Sequence, residues 1–554
     1  MKMVRIKKYL PLIIIAAVLI FLIVCPLAMI FLRAVIRDDR LDFITAWQTL
    51  AESENAQMIF SSLLLGVLVV IGSTIIAAPL AYLFSRTRFA SYRAFDIIFM
   101  IPFMTPPYIA SMGWILFMQK RGLLQQLIPS AAGSENWFFT LGGLVLVMSL
   151  HVFPFMLTIL KNAMLNIPSS LEEAGAVFGA SFGGRLRKIF MPLISGNYAI
   201  GALLVFVKTI AEYGTPATLG KRIGYYVFTT EIHRYATVAP IDFGKSAVLA
   251  SVLVGVCLVM WFLQNYVTSR RSYNLVSGKG SRFAEVKLRL PAKILGWAYI
   301  AAVLLLSVGV PYFSVISTSL INLRGYGFRP GNFTFQHYIE LFTENEKGIK
   351  ALGNSLILAV SAATICAVLG TLIVIAVRKS RSKLGKVVEV VGLLPEMLPG
   401  IVLVIGIMLF WNQIYSVIPL YNTLGIMILA YVVLFLPYTI QYVTSSFTQI
   451  SGSLEASARV FGGSPFYIFR RVTLPLIMKG VFAGWTMTFI ISFRELVTAS
   501  LIAPPNTLVV STYIVREFEQ GSVSVGMAMA VLCVLFTTTA LLILNRFIDR
   551  QKAR

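Results

Sequence analysis

The side chains of this sequence that could do chemistry are a few ionisable residues inside long apolar segments. Lys208 and Glu212 lie in one such segment, and Arg494 and Glu495 lie in another. Such charges are costly to bury in lipid, so they usually mark the path of a polar solute or a structural ion pair. Glu212 and Glu495 are separated by 283 residues, about half of the chain. This spacing predicts that the two carboxylates lie opposite each other across an internal axis.

Two interpretations of these carboxylates stay open. In the functional one, Glu212 and Tyr213 form a polar lining or gate of a pathway, together with Arg494 and Glu495 from the other half. In the structural one, Glu212 pairs with Lys208 one helical turn away. Glu495 would then pair with its neighbour Arg494.

A third acidic residue, Glu396, also lies in an apolar segment, between Pro395 and Pro399. It either lines the pathway or caps a helix that is broken between the two prolines, and capping is the favoured interpretation. The glutamates would suit a cationic solute, but Lys208 and Arg494 beside them would suit an anion. The charges therefore do not identify the solute.

No catalytic or metal-binding arrangement accompanies these charges. The stretch Ser277-Gly278-Lys279-Gly280 lacks the earlier glycine and the hydroxyl residue of a phosphate-binding loop. The four cysteines lie far apart in apolar runs, and the three histidines form no cluster. We therefore expect no catalytic residue, no metal site and no cofactor in this chain.

The composition is that of a polytopic membrane protein. Hydrophobic residues make up 58% of the 554 residues and charged residues only 13%, and the mean hydropathy is +0.82, which excludes an ordinary soluble domain. The net charge of +24 could suggest nucleic acid, but the basic residues fall in short loops between apolar runs. There they follow the orientation rule of membrane proteins, and we expect a bilayer and no nucleic acid as partner.

Twelve apolar runs are long enough to cross a bilayer, which predicts an all-α fold. They are 10–32, 58–84, 95–118, 138–160, 198–219, 246–267, 294–320, 356–377, 387–411, 424–443, 481–502 and 525–544. They divide into a first half, 1–267, a basic linker, 268–293, and a second half, 294–554. Six helices in each half, an even number, predict parallel rather than inverted repeats, related by an axis along the membrane normal.

Prolines recur at matching places in the two halves. Pro102 and Pro106 match Pro395 and Pro399, while Pro154 matches Pro437. A proline inside a span leaves a backbone carbonyl group without its helical hydrogen bond. Such prolines are tolerated where packing or a cavity satisfies that group. The prolines therefore predict helices bent around a pathway.

Basic loops fix the expected orientation. The loop 85–93, its counterpart 378–386 and the tail 550–554 are all basic. Cytoplasmic loops carry an excess of lysine and arginine, so we expect both termini in the cytoplasm.

One polar segment occurs in both halves on that same side. The first copy covers about 171–194 and the second about 454–477, and in each a proline follows a Val-Phe-Gly glycine by 13 residues. The first copy contributes Glu172, Glu173, Ala174, Gly179 and Pro192, and the second contributes Glu455, Ala456, Gly462 and Pro475. An acidic small-residue helix, a break at a flexible glycine and a second short basic helix would form a compact knob on the membrane surface.

These two segments resemble the signature loops of binding-protein-dependent ABC importer permeases. The resemblance covers essentially the whole chain and implies the type I importer fold in its fused, two-half form. Segments 211–216 and 493–496 are similar to those of the ferric-iron branch. Permeases for thiamine, phosphonates or sugar phosphates share the layout and stay as alternatives. Gly175 and Ser457 depart from the usual alanine, which predicts that the two loops bind their ATPases unequally.

The resemblance also implies a function and partners. The chain would be a non-enzymatic transport subunit of the bacterial inner membrane, and its signature loops would couple it to two copies of an ABC ATPase. ATP and magnesium would be bound by that ATPase, and a separate extracytoplasmic protein would deliver the solute. An ion-gradient-driven secondary transporter or a channel is the competing class, but it leaves the repeated loop unexplained.

Overall fold

The computed structural model describes residues 2–37, 40–92, 94–270, 286, 288–380, 382–448 and 452–552. Most of the expected linker, 271–285 and 287, therefore lies outside the described residues. Most of the described residues are helical, and the named strands are a pair of two-residue strands, Ile36–Arg37 and Arg40–Leu41, which pair antiparallel. This confirms the all-α membrane fold.

In the described part of the chain, ten continuous helices and two bent helix pairs are long and apolar enough to cross a membrane, which gives up to twelve spans when each pair is counted as one. A helix satisfies its own backbone hydrogen bonds, which is what an apolar run needs in lipid. We number them as spans 1 to 12: Leu10–Val35, Ser53–Arg86, Ala94–Met104 with Pro107–Met118, Leu141–Leu165, Phe182–Ala211, Phe243–Thr268, Leu290–Leu320, Glu346–Arg378, Lys383–Met397 with Gly400–Gln413, Leu424–Thr448, Pro465–Phe493 and Val523–Leu544.

Short helices and single turns connect the spans. The α-helices are Phe43–Ala51, Leu123–Leu127, Ser134–Phe138, Ser169–Val177, Phe228–Thr237, Gln336–Thr343, Gly452–Val460, Val497–Ile502 and Val510–Glu519. Single turns of 3₁₀ or π-helix outside the spans are Arg88–Ser91, Pro129–Ala131, Pro216–Gly220 and Arg324–Tyr326.

Spans 3 and 9 are each broken at a proline, as the sequence predicts. The two pieces of span 3 meet at 86° and those of span 9 at 111°. Thr105 and Leu398 precede Pro106 and Pro399, and both are extended, with ψ of 133° and 148°. A residue before proline is disfavoured in helical conformation, so each helix ends there. Pro154, by contrast, lies inside a continuous helix.

Spans 5 and 11 end earlier than the apolar runs predict. The predicted run 198–219 ends as a helix at Ala211, and the run 481–502 ends at Phe493. The span 5 helix ends immediately before Glu212, and the span 11 helix ends two residues before Glu495. A separate short helix follows each glutamate. The runs are therefore not single membrane-crossing helices over their whole length.

The described chain forms two compact units, and the first comprises Met1–Thr49, Ile232–Val254 and Thr334–Arg554. In it, span 1 packs against spans 8 and 9 of the second half. The approach is close at Gly406, where a Cβ atom would lie 2.6 Å from the carbonyl oxygen of Pro26. Only glycine allows the two backbones to meet at this distance.

The second unit comprises Leu50–Glu231 and Gly255–Phe333. Here span 7, the first span of the second half, packs against the second piece of span 3. Gly113 allows a similarly close backbone contact, because a Cβ atom there would lie 2.7 Å from the carbonyl oxygen of Pro311. Each unit thus holds the first span of the opposite sequence half. The halves 1–267 and 294–554 describe the duplication, whereas the packing exchanges their first spans and also places Ile232–Val254 of the first half in the first unit.

Candidate functional site

The two signature loops have the same backbone design. In loop 1 (residues 169–190), the helix Ser169–Val177 is followed by a turn at Gly179, whose φ is +75°. Ser181 then caps the next short helix by accepting a hydrogen bond from the Gly184 N–H at 3.2 Å. The chain continues through a π-turn into the main helix of span 5.

Loop 2 (residues 452–473) repeats this path. The helix Gly452–Val460 is followed by a turn at Gly462, whose φ is +79°. Ser464 accepts the N–H of Tyr467 at 3.2 Å. Among the described residues, no atom beyond the glycine and its two chain neighbours lies within 4 Å of the Cβ position at either Gly179 or Gly462. The left-handed backbone alone, and not crowding, therefore requires glycine at these turns.

Each loop carries an exposed apolar pair at its tip. Val177 and Phe178 are 83% and 90% exposed, and Val460 and Phe461 are 84% and 90% exposed. Large apolar side chains this exposed, and duplicated at matched places, are typical of a contact surface for a partner. Sequence reasoning quoted the Val-Phe-Gly run but did not single out these side chains, because their exposure depends on the turn that follows.

The other signature residues lie around these tips. Glu173, Ala174 and Ala456 are exposed on the loop helices. Pro192 and Pro475 are also exposed and stand at the start of the main helices of spans 5 and 11. Proline is tolerated in the first turn, because its missing N–H would have no partner there.

The base of loop 1 is organised by Arg86, the last residue of span 2. Arg86 is buried, and its Nη2 atom donates to the carbonyl oxygens of Met164 at 2.6 Å and Ile167 at 2.7 Å. Its guanidinium also lies 5.2 Å from the ring centre of Phe190. Glu172 is buried, with 4% of its surface exposed. Loop 1 is thus attached to span 2 through a buried cation.

The base of loop 2 is built differently. Glu455 accepts a hydrogen bond from the Thr473 hydroxyl at 2.8 Å, and the Arg459 guanidinium lies 3.9 Å from its carboxylate. Phe190 of loop 1 occupies the place that Thr473 holds in loop 2, 18 residues after the glutamate. The two loops therefore share their backbone and their tips but not their internal contacts.

Glu212 binds backbone N–H groups after span 5. Its two carboxylate oxygens accept the N–H of Thr215 at 3.0 and 3.2 Å. Its carbonyl oxygen accepts the hydroxyl of Thr229 at 2.8 Å. The carboxylate thus caps the short helix that follows, because the first N–H groups of a helix have no partner within it.

Glu495 makes similar contacts in the other unit, with two backbone N–H groups instead of one. Its carboxylate accepts the N–H of Val497 at 2.8 Å and that of Thr498 at 2.9 Å. Its carbonyl oxygen accepts the hydroxyl of Ser511 at 2.5 Å. Both glutamates are half-buried, as are Tyr213 and Arg494. Their expected placement across an axis stays a prediction, since Glu212 and Glu495 lie in different units.

Two serines missed by sequence reasoning hold the next short helices. Ser62 in span 2 accepts the N–H of Phe228 at 2.9 Å, and Ser355 in span 8 accepts the N–H of Val510 at 2.8 Å. Both serines precede a leucine-rich run in the second span of their half, which is the sequence signal that could have identified them.

Glu396 is exposed, and its carboxylate accepts a hydrogen bond from the side-chain amide of Gln441. The second piece of span 9 has no side-chain cap at its start. The structure thus gives Glu396 a partner on span 10 rather than the capping role favoured from the sequence.

Comparison with known proteins agrees with these features. The family described as "Binding-protein-dependent transport system inner membrane component" matches residues 69–273 and again residues 352–554. The chain is 23% identical to the Fe(3+)-transport system permease protein FbpB 2 of Haemophilus influenzae, over 96% of this chain and 97% of that protein. It is 26% identical to the ferric transport system permease protein FbpB of Actinobacillus pleuropneumoniae, over 92% and 73%.

A shorter relative matches part of the chain. The protein named as a 2-aminoethylphosphonate transport system permease protein, PhnV, in Salmonella typhi is 27% identical over 43% of this chain and 89% of its own length. Two family matches, two signature loops and up to twelve spans agree with one another. The chain therefore belongs to the family of binding-protein-dependent transport system inner membrane components, as a multi-pass permease subunit of an ABC importer with both permease halves in one polypeptide.

Proposed function

We propose that this permease imports ferric iron. Two relatives that match more than 90% of the chain are named for ferric transport, whereas PhnV matches 43% of it. Thiamine, a phosphonate or a sugar phosphate is the alternative cargo.

We further propose that one ATPase subunit docks on each signature loop. The observation that carries this proposal is the duplicated exposed tip, with Phe178 and Phe461 both 90% exposed on loops of one shape. An apolar side chain beside a short helix can insert into a groove on a partner. The acidic residue in the first turn of the helix would help to orient it in that groove. ATP and magnesium would be bound by that separate ATPase, whose closure would move the two loops together.

The same proposal fixes the orientation. Both loops and both termini would face the cytoplasm, where the ATPase and ATP are, and the solute would arrive from a separate extracytoplasmic protein. Basic loops after spans 2 and 8 support this orientation. Reporter fusions at the two termini measure it directly, and an extracytoplasmic terminus would contradict it.

Glu212, Tyr213, Glu396, Arg494 and Glu495 are proposed to line the pathway. A carboxylate offers about four acceptor positions, and the caps of Glu212 and Glu495 use two or three of them. Each glutamate can therefore cap a helix and still present an oxygen to a passing cation.

Reconstitution tests these proposals. The permease is placed in liposomes with its ATPase and the solute-binding protein encoded nearest to it, and ATP-dependent uptake of ferric iron is compared with that of thiamine and 2-aminoethylphosphonate. Iron uptake is expected. Uptake of another solute would keep the importer function and reject iron, whereas uptake without ATPase would reject the coupling proposal.

A further inference from the structure

A cationic and aromatic cavity lies at one membrane boundary of the second unit. It has a volume of about 300 Å³ and is lined by Arg88, Phe89, Tyr92, Val286, Leu288, Lys293 and Trp297. None of the described residues that line the cavity is acidic. The volume is at the lower end of small-molecule sites, which suits a lipid headgroup rather than a whole lipid.

The placement of the cavity follows from the spans that form it. Arg88 lies two residues beyond the end of span 2, and Lys293 lies in the first turn of span 7. Val286, four residues before span 7, lies against the end of span 2, because its N–H donates to the carbonyl oxygen of Arg86 at 2.9 Å. The end of one span and the start of another thus meet at the same bilayer surface.

An aromatic cluster shapes the wall of the cavity. The ring of Trp297 lies edge-on to Phe89 at 5.0 Å and to Tyr92 at 5.6 Å between ring centres. Gly296 allows this packing, because a Cβ atom there would lie 3.1 Å from the Phe89 ring. Tryptophan and tyrosine are favoured at the headgroup level, where one part of the ring is apolar and another is wet.

The charges and the apolar flank together identify the ligand chemistry. Arg88 and Lys293 are exposed cations that suit a phosphodiester. Beside them, Leu290, Ile294 and Leu295 are 70%, 59% and 71% exposed on the same helix. A free phosphate would use only the cations, whereas acyl chains would cover these three side chains. We propose that this cavity binds the headgroup of an anionic phospholipid.

The experiment uses the full chain, purified and delipidated in detergent. Native mass spectrometry measures the binding of palmitoyl-oleoyl phosphatidylglycerol, with the phosphatidylcholine of the same chains as the neutral comparison. One phosphatidylglycerol is expected to stay bound at concentrations that leave phosphatidylcholine unbound. Inorganic phosphate is expected to compete only at far higher concentration.

Two double variants separate specific from general charge effects. Arg88→Gln with Lys293→Gln is expected to weaken phosphatidylglycerol binding about thirtyfold, because two cations near the phosphate are lost. The control, Lys383→Gln with Lys386→Gln, removes two exposed cations at the start of span 9 and is expected to bind like the wild type. The charge-retaining Arg88→Lys with Lys293→Arg is expected to keep binding within a fewfold.

Several results would overturn the proposal. Equal binding of the two lipids would indicate ordinary annular lipid. Competition by phosphate as strong as by lipid would indicate a free-anion site. Wild-type affinity of the Arg88→Gln, Lys293→Gln variant, with an unchanged melting temperature, would show that the cavity does not hold the lipid.

Discussion

The exposed tips of the signature loops allow a quantitative test of ATPase docking. Phe178 and Phe461 are each 90% exposed in the permease alone, so nearly all of their apolar surface is available to a partner. Burying such a side chain contributes about 2 kcal/mol, which corresponds to about thirtyfold in a dissociation constant. Phe178→Ala or Phe461→Ala should each weaken ATPase binding by about that factor.

The double variant tests whether the loops act independently. Two separated sites add their effects, so Phe178→Ala with Phe461→Ala should weaken the binding of the pair of ATPase subunits by about 4 kcal/mol in total. The ATPase is titrated into the permease in nanodiscs, and the dissociation constant and the stimulated ATP hydrolysis are both measured. Because neither side chain packs against the permease, its thermal unfolding should not change.

A matched control is Phe335→Ala, which removes a 70% exposed phenylalanine between spans 7 and 8. It should bind the ATPase like the wild type. Wild-type binding and hydrolysis by the double variant would refute the assignment of the tips as the docking contacts. Equal losses in the Phe335→Ala control would show a general effect of removing surface apolar groups.

Three further predictions concern the supports of these sites. Gly179→Ala and Gly462→Ala should each cost about 1 kcal/mol at a left-handed turn with no steric clash, and ATP-coupled uptake should fall while the protein stays inserted, which uptake and surface labelling measure together. Glu212→Ala should lower the stability of the second unit by about 1 kcal/mol through loss of a helix cap, and Glu212→Gln should recover part of it in thermal unfolding; an unchanged melting temperature in the alanine variant would contradict the capping role. Arg86→Ala should lower the free energy of unfolding by about 3 kcal/mol, because two buried carbonyl groups lose their donor. Chemical denaturation of the detergent-solubilised chain measures this loss, and a much smaller loss would contradict the role of Arg86.

The sequence predicts the features that depend on local pattern. Apolar runs of bilayer length predict the twelve spans, since a helix is the way a single segment satisfies its backbone in lipid. Pro106 and Pro399 predict the breaks in spans 3 and 9, because proline restricts the residue before it. The repeated Val-Phe-Gly runs predict the turns of the two signature loops, because a left-handed turn requires glycine locally.

Features that depend on long-range packing could not be predicted. Span 1 packs with the second half and span 7 with the first, but the local pattern of these mostly apolar helices does not select a partner. The ends of spans 5 and 11 were also misplaced, because an average over the apolar run conceals a single glutamate. Glu212 and Glu495 were identified from their charge, while their capping contacts depend on a turn that the sequence does not show.

The exchange of first spans has a consequence for how the protein is made. Span 1 leaves the ribosome about 300 residues before span 8, one of the spans that it packs against, which is a wait of roughly 15 to 60 seconds at usual synthesis rates. During that time span 1 lacks the second-half spans that it packs against, and it has the highest hydropathy of the candidate spans. The second unit is likewise incomplete until span 7 has been inserted. A cut anywhere in the linker 268–293 would therefore yield two fragments, neither of which contains a complete unit.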